Sequence, residues 1–281
     1  MKFEKWQALG NDYVIVSEAD LGFGLTAKRI RKICAGHLGV GSDGLILVSP
    51  AQTAGKVASL RIFNPDGSEA ELSGNGARQA VLYLRHNGYT EQDDFVVETT
   101  AGDIRPQITG PMTATVDMGQ ARLQSSAFPG GDDTGRGVVQ AHDRNFAFQH
   151  VTIGNPQCAI ELCEDLRAFD LNGYGPAIES SDLFPSRTNV SFWRFDSDGE
   201  VSARIFERGV GETLSSGTGA CGVAVAAMLR GAQSPVVVRL DGGELQVAMD
   251  SQLRVSLKGW ALCVYTGVLS KQFVKELDET E

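Results

Sequence analysis

Long apolar runs are missing from this sequence of 281 residues. None approaches the roughly 20 residues needed to cross a bilayer, and the opening MKFEKWQALGNDYVIV lacks the apolar segment of a secretory leader. No membrane partner is expected, and a soluble, cytoplasmic setting is. Basic residues are in deficit, 25 Lys and Arg against 35 Asp and Glu, for a formal net charge of −10. A nucleic-acid partner would require a basic face, so none is expected. Cysteine is sparse and unpatterned. Cys34, Cys158, Cys163, Cys221 and Cys263 are odd in number, form no CxxC pair and have no histidines clustered with them. That speaks against a zinc site and a disulfide framework, and fits a reducing compartment.

Apolar surface, by contrast, is ample. Hydrophobic residues make up 42% and charged residues 21%, enough for proper cores in two domains of ordinary size. The sequence also repeats itself. Arg61-Ile62-Phe63-Asn64 returns as Arg204-Ile205-Phe206-Glu207, and Ser73-Gly74-Asn75-Gly76-Ala77 as Ser216-Gly217-Thr218-Gly219-Ala220, both at an offset of 143 residues. Leu9-Gly10-Asn11, followed by Val14-Ile15, returns as Ile153-Gly154-Asn155 followed by Ala159-Ile160, at an offset of 144. Three echoes in one order at nearly one spacing point to two homologous halves of roughly 120–140 residues.

Short runs such as Leu45-Ile46-Leu47-Val48, Ser59–Phe63, Phe95–Glu98, Val116–Met118, Val151–Ile153, Asn189–Phe192, Val236–Val238 and Leu253–Val255 read as strands. Ala77–Arg85, closed by Asn87-Gly88, reads as a helix, and Ala220–Leu229, closed by Arg230-Gly231, is its counterpart. Many strands with one long helix per half predict an α+β fold, each domain a curled mixed sheet around a central helix. The Gly- and Asp-rich stretch Ala127–Gly137 reads as a surface loop, and Lys271–Glu281 as a charged, solvated helix end.

Each repeat sets a hydroxyl residue and a Gly-x-Gly turn directly before its helix. The first N–H groups of a helix lack internal partners and lie at the positive end of its dipole, and glycine lets a ligand approach them. Each helix start therefore suits a carboxylate. Alone, such a segment is equally an ordinary tight turn; its duplication with the polar residues retained favours a shared site. Two starts related by a pseudo-twofold axis would converge on one carboxylate and place Ser73 and Ser216 on either side of the adjacent carbon. Two-base racemisation needs that arrangement. One group removes the α-proton while the other protonates the opposite face, and neutralising the carboxylate stabilises the carbanion-like transition state.

Asn64-Pro65-Asp66-Gly67-Ser68-Glu69-Ala70-Glu71-Leu72-Ser73-Gly74-Asn75-Gly76-Ala77-Arg78 resembles the first signature of the diaminopimelate epimerase family. Glu207-Arg208-Gly209-Val210-Gly211-Glu212-Thr213-Leu214-Ser215-Ser216-Gly217-Thr218-Gly219-Ala220 resembles the second. The departures are Ser73 and Ser216, which stand where the family carries its catalytic cysteines. Gly10-Asn11-Asp12, Gly41–Leu45, Gly154-Asn155-Pro156 and Phe184-Pro185 with Asn189-Val190 match further landmarks in order, so the likeness runs to about Leu269. It implies an N-terminal lobe over 1–115, completed by about 264–281, and a C-terminal lobe over 116–263. It also implies epimerisation of LL- to meso-diaminopimelate, for lysine and peptidoglycan precursors, without pyridoxal phosphate, metal or other cofactor. By the same resemblance Asn11, Asn64, Asn155 and Asn189 contact substrate, Glu207 and Arg208 line the pocket, and Gly74-Asn75 and Gly217-Thr218 bind the reacting carboxylate. Arg208 beside several Asn side chains suits a substrate with a polar far end. Members of the family are often dimers, which puts a homodimer among the expectations.

The substitutions fall on the reacting atoms. A thiol titrates near 8.5 and an alcohol lies far higher, close to water, so a serine base is harder to form by at most on the order of 10 kcal/mol. A neighbouring base would shrink that gap, and Glu207 is the nearby carboxylate nominated for it. The family usually has His after Gly-Asn-Pro; here Gln157 cannot titrate. Three accounts stay open: an epimerase using Ser73, Ser216 and Glu207, a non-catalytic amino-acid-binding relative, and a chain whose cysteines were replaced to trap substrate, against which Gln157 speaks. A racemase of another amino acid is the alternative within the same chemistry. Two weaker patterns are discounted. Gly39–Gly44 satisfies GxGxxG but lies between a helix (about 27–35) and a strand, the reverse of the dinucleotide order, and neither serine sits in GxSxG. Cys158 and Cys163 read as packing cysteines rather than a redox pair, and Cys221 as too far along its helix to replace Ser216.

Overall fold

The computed structural model describes residues 1–70, 73–100 and 102–279, so Glu71 and Leu72 of the first signature, and Thr280 and Glu281 at the end of the chain, lie outside the described residues. The chain divides into two compact units, Met1–Val116 with Gly259–Glu281, and Asp117–Lys258. No helix among the described residues is long and apolar enough to cross a membrane.

Numbered along the chain, the strands are β1 (Lys2–Ala8), β2 (Asn11–Ser17), β3 (Leu45–Ser49), β4 (Ser59–Phe63), β5 (Glu69–Ala70), β6 (Val97–Thr99), β7 (Gly102–Ile104), β8 (Gln107–Gly110) and β9 (Thr113–Gln120). There follow β10 (Arg136–Ala141), β11 (Arg144–Ile153), β12 (Asn155–Glu161), β13 (Asn189–Ser197), β14 (Glu200–Glu207), β15 (Gly211–Thr213), β16 (Val236–Leu240), β17 (Gly243–Met249), β18 (Arg254–Trp260) and β19 (Leu262–Val268). The helices are α1 (Ala27–Cys34), α2 (Gly74–His86), α3 (Leu171–Glu179), α4 (Gly217–Met228) and α5 (Lys271–Asp278).

In the first unit the sheet runs β19-β1-β2-β3-β4-β6-β7, with β5 on β4, and it is mixed: β2 with β3 and β4 with β6 are parallel, the other pairs antiparallel. The inner strands read as unbroken apolar runs because both faces are covered. Val14, Val16, Leu45 and Leu47 pack with Ile30 and Ile33 of α1 and Leu277 of α5. The alternate residues Ile15, Ile46 and Val48 are buried on the other face, toward α2. In the second unit the sheet runs β10-β11-β12-β13-β14-β16-β17-β18-β9, with β15 on β14. Strands β11 to β14, β16 and β17 all contact α4, so the sheet wraps its helix. α4 consists of Gly, Ala, Val, Thr, Cys and Met with no charge, the composition of a helix buried all round. On the outer side, α3 sits over an aromatic core of Phe146, Phe148, Phe169, Phe184, Phe192 and Phe206.

The repeated arginine has the same task in both units. Arg61 holds Glu69 through Nε and Nη2 at 3.0 and 2.7 Å, and Arg204 holds Glu212 through Nε and Nη2 at 2.8 and 2.6 Å. Each pair braces a strand against the short strand that leads toward the serine of its helix start.

Four details differ from the sequence reading. α2 and α4 begin three residues earlier than expected, because their Gly-x-Gly segments are the first helical turn rather than a turn before it. α3 was not anticipated, since Gly173, Gly175 and Pro176 all discourage a helix. It starts because Asp170 caps Gly173 N–H, and Gly175 is needed where Phe206 approaches: a Cβ there would lie 2.7 Å from the ring. The stretch Ala127–Gly137 is not wholly surface, for Phe128 is buried against Phe148 and Phe184 and β10 begins at Arg136. Nor is the C-terminal helix merely solvated. Leu277 is buried, Arg29 Nε donates to its carbonyl at 2.7 Å, and Lys32 pairs with Glu276 at 2.9 Å.

His150 on β11 is fully buried, with Nε2 at 2.9 Å from Ser125 Oγ and 3.1 Å from Thr152 Oγ1, and its ring against Phe128. Burial disfavours the imidazolium and pushes its pKa from 6.5 down to about 4. The folded chain then binds fewer protons than the unfolded chain in that window. The stabilisation is full above about pH 6.5 and is lost as pH falls toward 4, by up to about 3 kcal/mol. His150→Phe is therefore expected to unfold with a weaker pH dependence between these limits. Denaturant midpoints at several pH values measure it, and parallel wild-type and variant curves would assign the acid sensitivity to carboxylates instead.

Candidate active site

The first turns of α2 and α4, Gly74-Asn75-Gly76 and Gly217-Thr218-Gly219, contain poor helix formers, so their starts depend on caps. Ser73 and Ser216 supply them. Both have extended backbones, and their hydroxyls accept from Gly76 N–H at 3.1 Å and Gly219 N–H at 3.2 Å. Space at the third position is tight: a Cβ on Gly219 would come within 2.7 Å of the Ile205 Cδ1 and 3.1 Å of the Ser216 Cβ, and one on Gly76 within 3.3 Å of the Ser73 Cβ. The remaining N–H groups of the first turn sit at the positive end of each helix.

Beyond the cap the two starts differ. Ser216 Oγ–H donates to Glu207 Oε2 at 3.0 Å, and Glu207 ends β14 at the mouth of the Glu207–Gly211 turn. The hydroxyl proton and one lone pair of Ser216 are thus engaged, leaving one lone pair to receive a proton while its own passes to the carboxylate. Among the described residues, the only hydrogen bond of the Ser73 hydroxyl is the one accepted from Gly76. Arg78 lies fully buried one turn below Ser73, donating to Gly74 O at 2.9 Å and Asn75 Oδ1 at 2.5 Å, which adds a fixed positive charge to that helix start.

The first unit holds the neighbouring site residues from their main chain. Asn11 Nδ2 and Asp12 N–H both donate to Asp43, and the Asn11 carbonyl accepts from Gln79 Nε2 of α2 at 3.0 Å. Asn64 closes a turn onto Ser68, and Asp66, accepting from the Ser68 hydroxyl and N–H, has its pKa held below the usual carboxylate range. In the second unit Asn189 is buried, and its amide is committed to main chain: Nδ2 donates to Pro156 O, and Oδ1 accepts from Arg208 N–H at 2.9 Å. Gln157 beside it is buried, donating to Asn155 Oδ1 at 2.5 Å, while its own Oε1 meets no donor among the described residues. Arg208 is exposed, one guanidinium nitrogen on Ser186 O. The second unit thereby links Asn155, Asn189, Glu207, Arg208 and Ser216, with Thr218 beside Gly154.

Sequence reasoning assigned no part to Arg78, Gln79, Asp43 or Glu179. Glu179 is buried and accepts from Gly209 N–H at 2.8 Å, which sets the turn after Arg208. A signal existed for Arg78 and Gln79, since adjacent polar side chains in an otherwise apolar helix must find buried partners. The discounted GxGxxG is a packed turn joining α1 to β3: a Cβ on Gly39 would meet the carbonyls of Lys32 and Ile33. No disulfide joins the cysteines, and among the described residues no three His, Cys, Asp or Glu side chains cluster as a metal requires.

The sequence profile of diaminopimelate epimerase matches residues 3–124 and 149–262. The diaminopimelate epimerase of Desulforudis audaxviator is 43% identical over 260 residues, covering 88% of this chain and 91% of that protein. The chain belongs to the diaminopimelate epimerase family. Diaminopimelate epimerase 2 of Nostoc sp. is 38% identical, covering 97% and 96% of the two chains. Solved structures share the fold at low identity. A hydroxyproline epimerase from Agrobacterium vitis aligns with a TM-score of 0.66 at 15% identity, over 95% of this chain and 91% of that one. A PhzF-family phenazine biosynthesis protein from Bacillus anthracis aligns with a TM-score of 0.66 at 18% identity, over 96% and 99%. The family fold of two mixed-sheet domains with few helices is the one described above.

In this member the contact between α4 and β12 is tight. A Cβ on Gly222 of α4 would lie 2.8 and 2.9 Å from Cβ and Cγ of Gln157, atoms too near the backbone to swing away. Gly222→Ala is expected to destabilise by about 1–3 kcal/mol, measured by denaturant unfolding. Combining it with Gln157→Ala should recover part of the loss, and simple additivity of the two would contradict the contact.

Proposed function

We propose that this chain interconverts LL- and meso-diaminopimelate by cofactor-independent proton transfer at one α-carbon. In this reading Ser73 and Ser216 occupy the positions of the family's catalytic cysteines and serve one substrate. The observation that carries it is the duplicated, serine-capped helix start in which the Ser216 hydroxyl already points its proton at Glu207. The substrate carboxylate takes the first-turn N–H groups of Gly74-Asn75 and of Gly217-Thr218, which disperse its charge as the α-carbon becomes carbanion-like. Asn11, Asn64 and Asn155 contact the rest of the molecule, and the exposed Arg208 guanidinium meets its distal carboxylate. Asn189 acts at one remove, by holding the Arg208 main chain.

The same reading places the protein in the cytoplasm, on the route to lysine and peptidoglycan precursors, and as a homodimer, with neither nucleic acid nor membrane as partner. The net charge of −10 speaks against nucleic acid. The edge strand β19, which exposes Val264, Tyr265 and Val268, supports self-association.

Exchange of the substrate α-proton with solvent deuterium, followed by NMR, tests the assignment. Exchange with diaminopimelate is the expected result; exchange confined to another amino acid would move the substrate, and tight binding without exchange would reduce the protein to a binder. Because a hydroxyl is a far weaker acid than a thiol, the double substitution Ser73→Cys with Ser216→Cys is expected to raise kcat by about 100-fold or more. An unchanged kcat would mean that these side chains do not carry the proton. Glu207→Gln is expected to lower kcat by about 100-fold or more, in the range of a lost general base, with a smaller effect on KM.

A further inference from the structure

Comparison of the two repeats position by position shows that their frames match while their ionisable groups do not. At the 143-residue offset, Glu207 corresponds to Asn64, and Cys221 to Arg78. Ser216 therefore has a carboxylate as hydrogen-bond acceptor, at 3.0 Å. The first unit offers an amide at the equivalent position, and that amide is turned to Ser68 Oγ at 3.0 Å. Gln157, buried beside Asn155, is an amide as well and takes up no proton. The first helix start carries instead the buried Arg78 cation.

We infer that the two halves divide the reaction unequally: the Ser216–Glu207 pair is the proton-abstracting base, and Ser73 works in its neutral form as a hydrogen donor. The inference rests on the function proposed above. When the α-proton faces Ser216, the Ser216 oxygen takes it as the Ser216 hydroxyl proton moves to Glu207, so no free alkoxide forms and the electron pair of the C–H bond remains on the α-carbon. When the α-proton faces Ser73, the same step needs an alkoxide at Ser73. Arg78 stabilises negative charge nearby but cannot accept a proton. By microscopic reversibility, protonation from the Ser73 face runs through the same alkoxide: Ser73 gives its proton to the α-carbon, is left as an alkoxide that water must reprotonate, and is the slower donor of the two. The carbanion is then returned mostly through the Ser216 face, after Glu207 and Ser216 have traded their protons with water.

One epimer should consequently exchange its α-proton with retention of configuration, much faster than it inverts, whereas the other should exchange no faster than it inverts. Deuterium wash-in and inversion are followed together by NMR and chiral chromatography, at the centre that inverts, from LL- and from meso-diaminopimelate in separate reactions. The expected asymmetry in wash-in rate is about 100-fold or more, the usual worth of a positioned general base. Ser73→Cys alone supplies a group that ionises unaided, and it should raise the slow epimer's exchange by a similar factor while leaving the fast epimer within a few-fold. Comparable wash-in from both epimers in the wild-type chain, or no gain for the slow epimer with Ser73→Cys, overturns the division of roles. Absence of exchange from both epimers, with and without Ser73→Cys, overturns the proposed epimerase function itself.

Discussion

A helix enclosed by its own sheet can offer unpaired backbone groups only at its ends, and this structure depends on that constraint. Six strands contact α4, and nearly every residue of its first three turns is buried. The same holds for α2 from Gly74 to Leu84. What remains available is the first turn, whose N–H groups have no partner inside the helix. The residue that must cap that turn is a serine in both units, so the group that nucleates the helix is also the group placed at its positive end. Helix nucleation and site construction are one requirement.

Around that shared frame the units have diverged in charge. The braces Arg61–Glu69 and Arg204–Glu212 are retained, because each holds the short strand that delivers the chain to its serine. The positions beside the serines are not. One start has a carboxylate on its hydroxyl, and the other has a buried guanidinium on its first turn. A buried glutamine also changes sides. In the first unit Gln79 comes from the helix and ties α2 to Asn11; in the second, Gln157 comes from the strand and packs where the helix has Gly222. Each helix–strand contact has room for one such side chain, and close packing decides that the opposite residue must accommodate it.

Precision in the loops comes from carboxylates aimed at main-chain N–H groups. Asp43 fixes the start of β2, Glu179 fixes Gly209, and Glu98 accepts from Gln52 N–H and Thr53 N–H; the Thr53 side chain first, and then these amides, hold its pKa down to about 2. A carboxylate bonded to backbone amides constrains the chain more strongly than a surface ion pair does. The residues that face a substrate in the proposed mechanism therefore stand on loops whose backbones are held by side chains elsewhere.

The amino-acid sequence by itself determined the duplication, the two serine-led helix starts, the α+β class and the family likeness, because these reside in local spacing and in residue types that recur at one offset. Long signatures survive in one dimension. Tertiary structure alone decided the rest. α3 is hidden by Gly173, Gly175 and Pro176 and exists because Phe206 needs a glycine to pack against. Phe128 sits in a Gly- and Asp-rich stretch that looks solvated, yet it fills a gap between aromatic rings. α5 looks like a charged tail until Arg29 and Lys32 receive it. The bond from Ser216 to Glu207 likewise joins residues whose adjacency depends on a hairpin closing, and no pattern of neighbours along the chain encodes its length. Propensity and periodicity describe what a segment does next to itself, whereas these features arise from what the fold brings beside it.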